Sequence, residues 1–149
     1  MKISAVYSVP GKPDSIFSTV TDPLALKECI PGCERLEIIG EGEFEAVLKV
    51  GIAGLKGTYQ GKAGLSDLNP PQSFSLAFEG KGGPGFVRGN AVFSLTETGG
   101  ATQIQCVADV QVGGAIVAVG SRLVQAAARK MMDEFIKCLT ERLDRTDTE

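Results

Sequence analysis

Residues Ala115 to Leu143 read AIVAVGSRLVQAAARKMMDEFIKCLTERL and carry the strongest structural signal in the chain. They contain no proline and a single glycine, Gly120. Apolar residues recur along this stretch every three or four positions, which places them on one face of an α-helix: Val117, Gly120, Val124, Ala128, Met131, Phe135 and Leu139. Such a helix would be roughly 40 Å long, enough to cross a small domain. We therefore predict a long C-terminal helix whose apolar face covers the rest of the chain.

Upstream of that helix the apolar period changes from helical to two. Between Phe44 and Ile52 apolar residues alternate with Glu45 and Lys49, as they do in a strand with one buried face. Similar alternation follows the stretches 2–9, 34–40, 55–65, 74–78, 87–95 and 102–112. Short turns rich in glycine, proline and asparagine separate these stretches, which favours an antiparallel meander of seven strands.

Two short helices are predicted between the first and second strands. Pro13 suits the first turn of one helix, and Asp22-Pro23 is a capping residue followed by a first-turn proline for the other. The second helix must end before Pro31. The resulting order, β-α-α-β6-α, is that of the α+β helix-grip fold.

Glycines inside the predicted strands leave two interpretations open. Gly51, Gly57, Gly61 and Gly64 either let the sheet curve around a cavity or mark bulges that protect an edge. The segment Gly80–Gly85 is likewise either a hairpin turn or a lid beside a pocket mouth.

Length and charge place the protein among ordinary soluble domains. The 149 residues, with a net charge of −3, predict one domain over residues 1–143 and a polar tail over residues 144–149. The absence of a basic cluster argues against nucleic acid as a partner. No apolar stretch approaches the roughly 18 residues of a membrane span, and the N-terminus does not resemble a signal peptide. We therefore predict a cytoplasmic location and at most peripheral membrane contact.

The four cysteines and the lack of histidine restrict the chemistry. Cys29, Cys33, Cys106 and Cys138 fit no zinc spacing, and we predict no metal site. The favoured interpretation is four reduced, mostly buried thiols; a redox pair of Cys29 with Cys33 is the alternative. With zero histidines, the common Ser-His-Asp and Cys-His arrangements are excluded, and we predict no catalytic residue.

Acid–base chemistry would have to come from Asp67, Glu79, Arg88, Asp109 or Tyr59. Asp109 and Arg88 are either a cross-strand pair on the solvent face or polar groups that orient a ligand. Tyr59 is either a core residue or a ligand contact.

The predicted ligand site lies between the sheet and the long helix, because apolar pockets form where a helix closes over a curved sheet. Its residues are Ile30, Leu48, Val50, Tyr59, Phe78, Val124, Ala128, Met131 and Phe135. Pro31, Gly32 and Cys33 form a predicted gate at the mouth.

Three motifs resemble the carbon monoxide dehydrogenase G-subunit family of the START-like superfamily, which also includes polyketide cyclases. They are Cys29-Ile30-Pro31-Gly32-Cys33, the glycine-rich run from Gly80 to Phe86, and Gln111-Val112-Gly113-Gly114 followed by Gly120-Ser121-Arg122. The resemblance extends over residues 1 to about 140.

The resemblance implies a non-catalytic carrier of an apolar molecule, a quinone or a lipid held without a covalent bond. The implied partner is a molybdenum- and flavin-containing carbon monoxide dehydrogenase or a related hydroxylase. The alternatives are a docking or assembly factor for that enzyme, with an incidental cavity, and a START-like cyclase or hydrolase. Some family members carry a C-terminal membrane-attaching extension, whereas this sequence ends in the polar stretch Asp144–Glu149, from which we expect no stable membrane anchor.

Overall fold

The computed structural model describes the backbone of residues 1–147. The strands are β1 (Lys2–Pro10), β2 (Cys33–Gly40), β3 (Glu43–Val50), β4 (Gly57–Asn69), β5 (Ser73–Gly82), β6 (Gly85–Thr98) and β7 (Ala101–Gly113). The helices are α1 (Pro13–Val20), α2 (Pro23–Cys29) and α3 (Ser121–Asp147), and a 3-10 segment, Gly114–Val119, joins β7 to α3. In chain order this is β1–α1–α2–β2 to β7–α3, as the sequence predicts.

The strands form one antiparallel sheet in the order β1-β7-β6-β5-β4-β3-β2. From β2 to β7, strands that follow one another in the chain are neighbours in the sheet, while β1 pairs with the far strand β7, with Lys2 opposite Asp109 and Pro10 opposite Ala101. The predicted helix-grip architecture, an antiparallel seven-stranded sheet with two short helices and a long C-terminal helix, is confirmed.

The short helices begin where the sequence signals place them. Pro13 and Pro23 occupy the first turns of α1 and α2, and the Asp22 carboxylate accepts a hydrogen bond from the Leu24 N–H at 3.1 Å. That bond satisfies a backbone donor that has no partner inside the helix.

The long helix differs from its prediction at both ends. The chain from Gly114 to Val119 forms a 3-10 segment, and α3 starts only after Gly120, whose φ of +95° interrupts helical geometry. This positive φ explains why the apolar periodicity, which runs through Gly120 unbroken, predicts too early a start. At the other end α3 continues to Asp147, so residues 144–147 are helical rather than a tail. Thr148 and Glu149 lie outside the described residues.

The glycine-rich segment between β5 and β6 is a tight hairpin. Gly82 pairs with Gly85, which leaves only Gly83 and Pro84 outside the strands. The Ile116 N–H donates a 3.0 Å hydrogen bond to the Pro84 carbonyl and fastens this turn to the 3-10 segment. The segment is therefore a hairpin turn, as in the first interpretation, and a role as a lid stays a prediction.

Three buried clusters hold the helices against the sheet. The first contains Phe17, Phe74, Ile104 and Leu139 and lies under α1 and the C-terminal half of α3. The second is centred on Ala91, Cys106 and Ala108 of β6 and β7, toward the β1 edge of the sheet. The third joins the 3-10 segment to the start of α3, through Leu55, Tyr59, Ile116, Val124 and Ala127.

Polar contacts fix where α3 lies. The Tyr7 hydroxyl on β1 donates a 2.7 Å hydrogen bond to the Asp133 carboxylate on α3. Glu28 on α2 forms ion pairs with Arg142 and Arg145 of α3. The hydrogen bond from Arg145 holds the pKa of Glu28 below its usual value. These contacts tie α3 to one edge strand and to α2.

A disulfide joins the same two helices. Cys29 at the end of α2 is bonded to Cys138 of α3, with their Cα atoms 5.3 Å apart and 109 positions apart in the sequence. The prediction of four reduced cysteines is therefore wrong for this pair, and Cys29 does not pair with Cys33. Cys33 and Cys106 are free thiols, and burial raises the pKa of Cys106 to about 11.

We expect the disulfide to stabilise the fold strongly, because it restricts the unfolded chain across a long loop. Reduction with a small dithiol should lower the free energy of unfolding by about 2–5 kcal/mol. Cys138→Ser should show the same loss without any further response to the reductant, measured by urea denaturation. Cys33→Ser is the matched control, because it leaves the bond in place and should keep the wild-type response. Four titratable thiols in air-oxidised, denatured protein would contradict the assignment, since two are expected.

The Tyr7–Asp133 contact predicts a dependence of stability on alkaline pH. Burial, followed by the hydrogen bond to Asp133, raises the pKa of Tyr7 to about 12. Because an unfolded tyrosine titrates near pH 10, the stabilisation is complete below about pH 10 and is lost as pH rises toward about 12. Tyr59→Phe leaves Tyr7 as the single tyrosine, whose tyrosinate absorbance then reports this pKa directly.

In that background, adding Asp133→Asn should lower the pKa of Tyr7 while leaving it above that of an exposed tyrosine, because burial remains. Identical titration curves with and without Asp133→Asn would show that the contact does not form, provided that circular dichroism shows the fold intact throughout.

Candidate functional site

One face of the sheet is apolar from edge to edge. On β7 the residues from Thr102 to Val110 are alternately buried and exposed. The residues paired with the buried ones on the other strands point to the same face of the sheet. We call this the inner face, because α1 and α3 pack on it. On β3 to β6 it consists of Phe44, Ala46, Leu48, Val50, Tyr59, Gly61, Ala63, Leu65, Phe74, Leu76, Phe78, Gly80, Val87, Gly89, Ala91, Phe93 and Leu95. None of these side chains carries a charge; beyond them, Glu97 is in register with the buried Thr102 but is exposed at the far end of β6.

The core covers this inner face unevenly. α3 approaches β1 to within 8 Å between Cα atoms but stays further than that from β2 to β7. Toward the β2 edge, Leu36, Leu48 and Leu76 are only half-buried and belong to none of the three clusters. Met131 on α3 is also half-buried and belongs to none of the three clusters. These half-buried side chains outline an incompletely covered apolar region between β2–β5 and α3, which we call the cleft.

Eight of the nine predicted ligand residues lie around this cleft in two groups, and the ninth, Ile30, is at the end of α2. Leu48, Val50, Tyr59 and Phe78 are on the inner face, as predicted from alternation. Val124, Ala128, Met131 and Phe135 follow one another on one side of α3. Val124 and Tyr59 are buried in the third cluster, while the other six are half-buried. The structure thus brings these eight residues to facing surfaces; whether they bind a ligand stays a prediction.

The Tyr59 hydroxyl is a polar group inside the core, beside the cleft. Its hydroxyl donates a 2.7 Å hydrogen bond to the Leu55 carbonyl, and burial raises its pKa. The hydroxyl therefore already has a protein partner and remains protonated at neutral pH. It is suited to line a pocket rather than to transfer a proton.

Gly80 marks open space within the cleft. It lies on the inner face of β5 between Gly61 and Val87. A Cβ atom built on Gly80 meets nothing within 4 Å, apart from its own chain neighbours. A ligand can therefore approach the backbone of β5 at this point.

The predicted gate is attached to the sheet. Ile30 ends α2 and is half-buried, and the Cys33 N–H donates to its carbonyl at 3.1 Å. The Lys49 N–H donates a 2.8 Å hydrogen bond to the Gly32 carbonyl, and a Cβ on Gly32 would lie 2.1 Å from the Lys49 carbonyl oxygen. Only glycine fits there, with its φ of +73°. Gly32 thus serves as a close contact with β3, and a gating role for Pro31, Gly32 and Cys33 stays a prediction.

The candidate acid–base residues lie away from the cleft. Glu79, Arg88 and Asp109 are exposed on the opposite, outer face, where Glu79 is opposite Arg88 in the register. The Arg88 guanidinium donates to the Gln111 side chain at 3.0 Å, and Asp109 lies 3.8 Å from the N-terminal ammonium group. Asp67 is exposed near the end of β4. Of the two interpretations of Asp109 and Arg88, the structure supports the solvent-face one, with different partners from those predicted.

Sequence reasoning missed two depressions on the outer face, with volumes of about 680 and 600 Å³. They share Lys62, Glu79 and Arg88. These residues belong to a row that crosses the sheet with alternating charge: Glu45, Lys62, Glu79 and Arg88 are successive partners on β3 to β6. Strand register creates the row, so no pattern along the chain signals it. Its open, mixed-charge surface is unsuited to an apolar ligand.

Comparisons with known proteins agree on fold and family. The family model of the carbon monoxide dehydrogenase G-subunit (CoxG) matches residues 7–144. A crystal structure of a conserved protein from Geobacillus kaustophilus has a TM-score of 0.95 at 32% identity, covering 98% of this chain and 97% of that chain. No curated protein matches the chain.

Two more distant structures share the fold. A START superfamily protein from Mycobacterium smegmatis has a TM-score of 0.74 at 18% identity, covering 97% of this chain and 98% of its own. Zhui aromatase/cyclase from Streptomyces sp. R1128 has a TM-score of 0.70 at 15% identity, covering 97% of this chain and 94% of its own. At such identities the likeness concerns the fold alone. The family model and the structure that is 32% identical together show that this chain belongs to the CoxG family, that of the carbon monoxide dehydrogenase G-subunit.

Proposed function

We propose that this protein binds an apolar small molecule, a quinone or a lipid-like chain, in the cleft between the inner face and α3. The observation that carries the proposal is the apolar inner face, left partly exposed at Leu48 and Leu76 opposite the half-buried Met131 of α3. A soluble domain normally buries such a surface or uses it for binding.

The energy of burial is sufficient for useful affinity. Each buried CH2 group contributes about 0.8 kcal/mol, so a chain of ~10 such groups supplies about 8 kcal/mol before ordering costs. A dissociation constant of about 1 μM corresponds to about 8.2 kcal/mol, so a somewhat longer chain reaches micromolar affinity. Along the cleft the inner-face residues of β3 to β6 carry no charge, and the nearest carboxylate in register with this face, Glu97, is exposed at the far end of β6. We therefore expect a neutral ligand, or one whose polar end stays outside.

Binding is favoured over catalysis by the placement of the titratable groups. Glu79, Arg88 and Asp109 are on the outer face, and the Tyr59 hydroxyl is occupied by the Leu55 carbonyl. A cyclase acting in the cleft would need a general acid or base there. The aromatase/cyclase that shares the fold does not change this argument, because its likeness extends only to the architecture.

Family membership supports the choice of partner. We propose that the bound molecule serves a molybdenum-containing carbon monoxide dehydrogenase or a related hydroxylase, in keeping with the description of the family. The test of the ligand is native mass spectrometry of protein purified without detergent, followed by organic extraction. A discrete quinone or lipid mass supports the carrier. A protein that is empty and also ignores added quinones and fatty acids would instead favour a docking factor with an incidental cleft.

Gly80→Leu should block the cleft without disturbing the sheet. The new side chain projects from the inner face into open space, and φ at this position lies outside the left-handed region. We expect roughly tenfold or greater weakening of the binding of a short-chain menaquinone analogue, equivalent to about 1.4 kcal/mol, measured by fluorescence quenching or calorimetry.

Gly64→Leu is the matched control. Gly64 is also in a strand, also has nothing within 4 Å of a built Cβ, and faces the outer side of β4. It should bind the analogue like the wild type. Equal affinity in Gly80→Leu, with both variants as stable as the wild type, would show that the ligand lies elsewhere.

A further inference from the structure

Three connections meet at one end of the sheet. They are the β3–β4 loop over residues 51–56, the Gly83–Pro84 turn, and the 3-10 segment Gly114–Val119. A Cβ on Gly54 would lie 3.1 Å from Cγ2 of Val119, and the Ile116 N–H donates to the Pro84 carbonyl. The three connections therefore form one surface, which we call the loop end.

The loop end exposes apolar side chains. Val117 and Leu123 are each 59% exposed, and Ala53, Ala115 and Ala118 are exposed as well. From Val110 to Ser121 the sequence contains no charged residue. Scattered exposed apolar residues are ordinary, but a cluster at the tip of a molecule is typical of an interaction surface.

The charges around the loop end are mainly positive. Lys49, Lys56, Lys81 and Arg122 flank its connections and are exposed. From Ala46 to Ser66 the charged residues are all lysines. The carboxylates Glu79 and Asp109 lie further along the outer face, and Asp109 faces the N-terminal ammonium group.

The opposite end of the sheet is mainly acidic, with one exposed cation, Lys12, in the β1–α1 connection. Its turns carry Glu41, Asp67 and Glu97 at or next to the β2–β3, β4–β5 and β6–β7 connections. A protein with a net charge of −3 has thus collected cations around its apolar loop end. This separation would orient the molecule on a negatively charged surface.

We propose that the loop end docks on an anionic lipid bilayer. Val117, Ala118 and Leu123 enter the boundary between head groups and acyl chains, while Lys56 and Arg122 contact lipid phosphates. Within residues 1–147 no helix is both long and apolar enough to span a membrane. Interfacial docking needs no span: a small apolar insertion and a basic rim are each weak signals that act together.

The docking surface lies at the same end of the molecule as part of the predicted ligand site. Beneath it the third cluster brings Leu55 and Ile116 together with Tyr59 and Val124, with Val50 packed alongside. Three of these residues belong to the predicted ligand site. Docking here would place the cleft next to the bilayer from which an apolar ligand is taken. This last step rests on the proposed function, whereas docking itself does not.

The absence of tryptophan allows a sharp test. Val117→Trp places a single fluorophore on the loop end, and Leu68→Trp places one on an exposed leucine, 53% accessible, near the other end of β4. Each variant is mixed with vesicles of phosphatidylcholine alone, or with vesicles in which about a third of the lipid is phosphatidylglycerol. We expect a blue shift of Val117→Trp on the anionic vesicles, reduced by high salt, and no shift of Leu68→Trp.

Flotation of the unlabelled protein gives the complementary measurement. Wild type should float with the anionic vesicles, and the double variant Lys56→Glu/Arg122→Glu should bind them at least roughly tenfold more weakly. Wild type that stays in solution with both vesicle types would overturn the proposal and leave the loop end to a protein partner. Equal shifts of the two tryptophans would overturn the orientation.

These outcomes are separable from those of the proposed function. Vesicle binding is measured without added ligand, and quinone binding is measured without vesicles. Binding of quinone without binding of vesicles would contradict the docking proposal alone. Binding of vesicles without binding of quinone would contradict the carrier proposal alone.

Discussion

A mismatch of widths between the sheet and the helix that covers it shapes the whole molecule. Seven strands with spacings of about 4.8 Å make an apolar face about 29 Å across, whereas an α-helix with its side chains is about 10–12 Å wide. The polar contact between Tyr7 and Asp133 holds α3 toward the β1 edge. The inner face toward β2 is consequently left half-covered, and the cleft lies there.

The contacts between α2 and α3 cover one end of the inner face. The Cys29–Cys138 disulfide and the ion pairs of Glu28 with Arg142 and Arg145 fasten α2 across the C-terminal half of α3. The first cluster, with Phe17 and Leu139, fills the space beneath. Because this end is dense and cross-linked, the less tightly filled space lies along Leu48, Leu76, Gly80 and Met131.

The two faces and two ends of the molecule are therefore chemically distinct. The inner face is apolar over most of its length, while the outer face carries a row of alternating charge from Glu45 to Arg88. The loop end joins exposed Val117 and Leu123 to lysines and an arginine, and the opposite turns are acidic. An apolar ligand fits the first surface and an anionic bilayer fits the loop end, so the two proposed activities use adjoining parts of one molecule.

The architecture follows from the order of residues alone, because local periodicity is written residue by residue. Alternation from Phe44 to Ile52 and the apolar stripe around Ala128 and Phe135 specify strand and helix, and the same alternation places Leu48 and Phe78 on the inner face. Which distant residues meet was settled only by packing in three dimensions. Cys29 bonds to Cys138 across 109 positions, and the charged row depends on strand register. The start of α3 was set by the backbone of Gly120, which apolar spacing does not report. No local pattern in the sequence indicates these pairings, because they form only when segments far apart in sequence pack together.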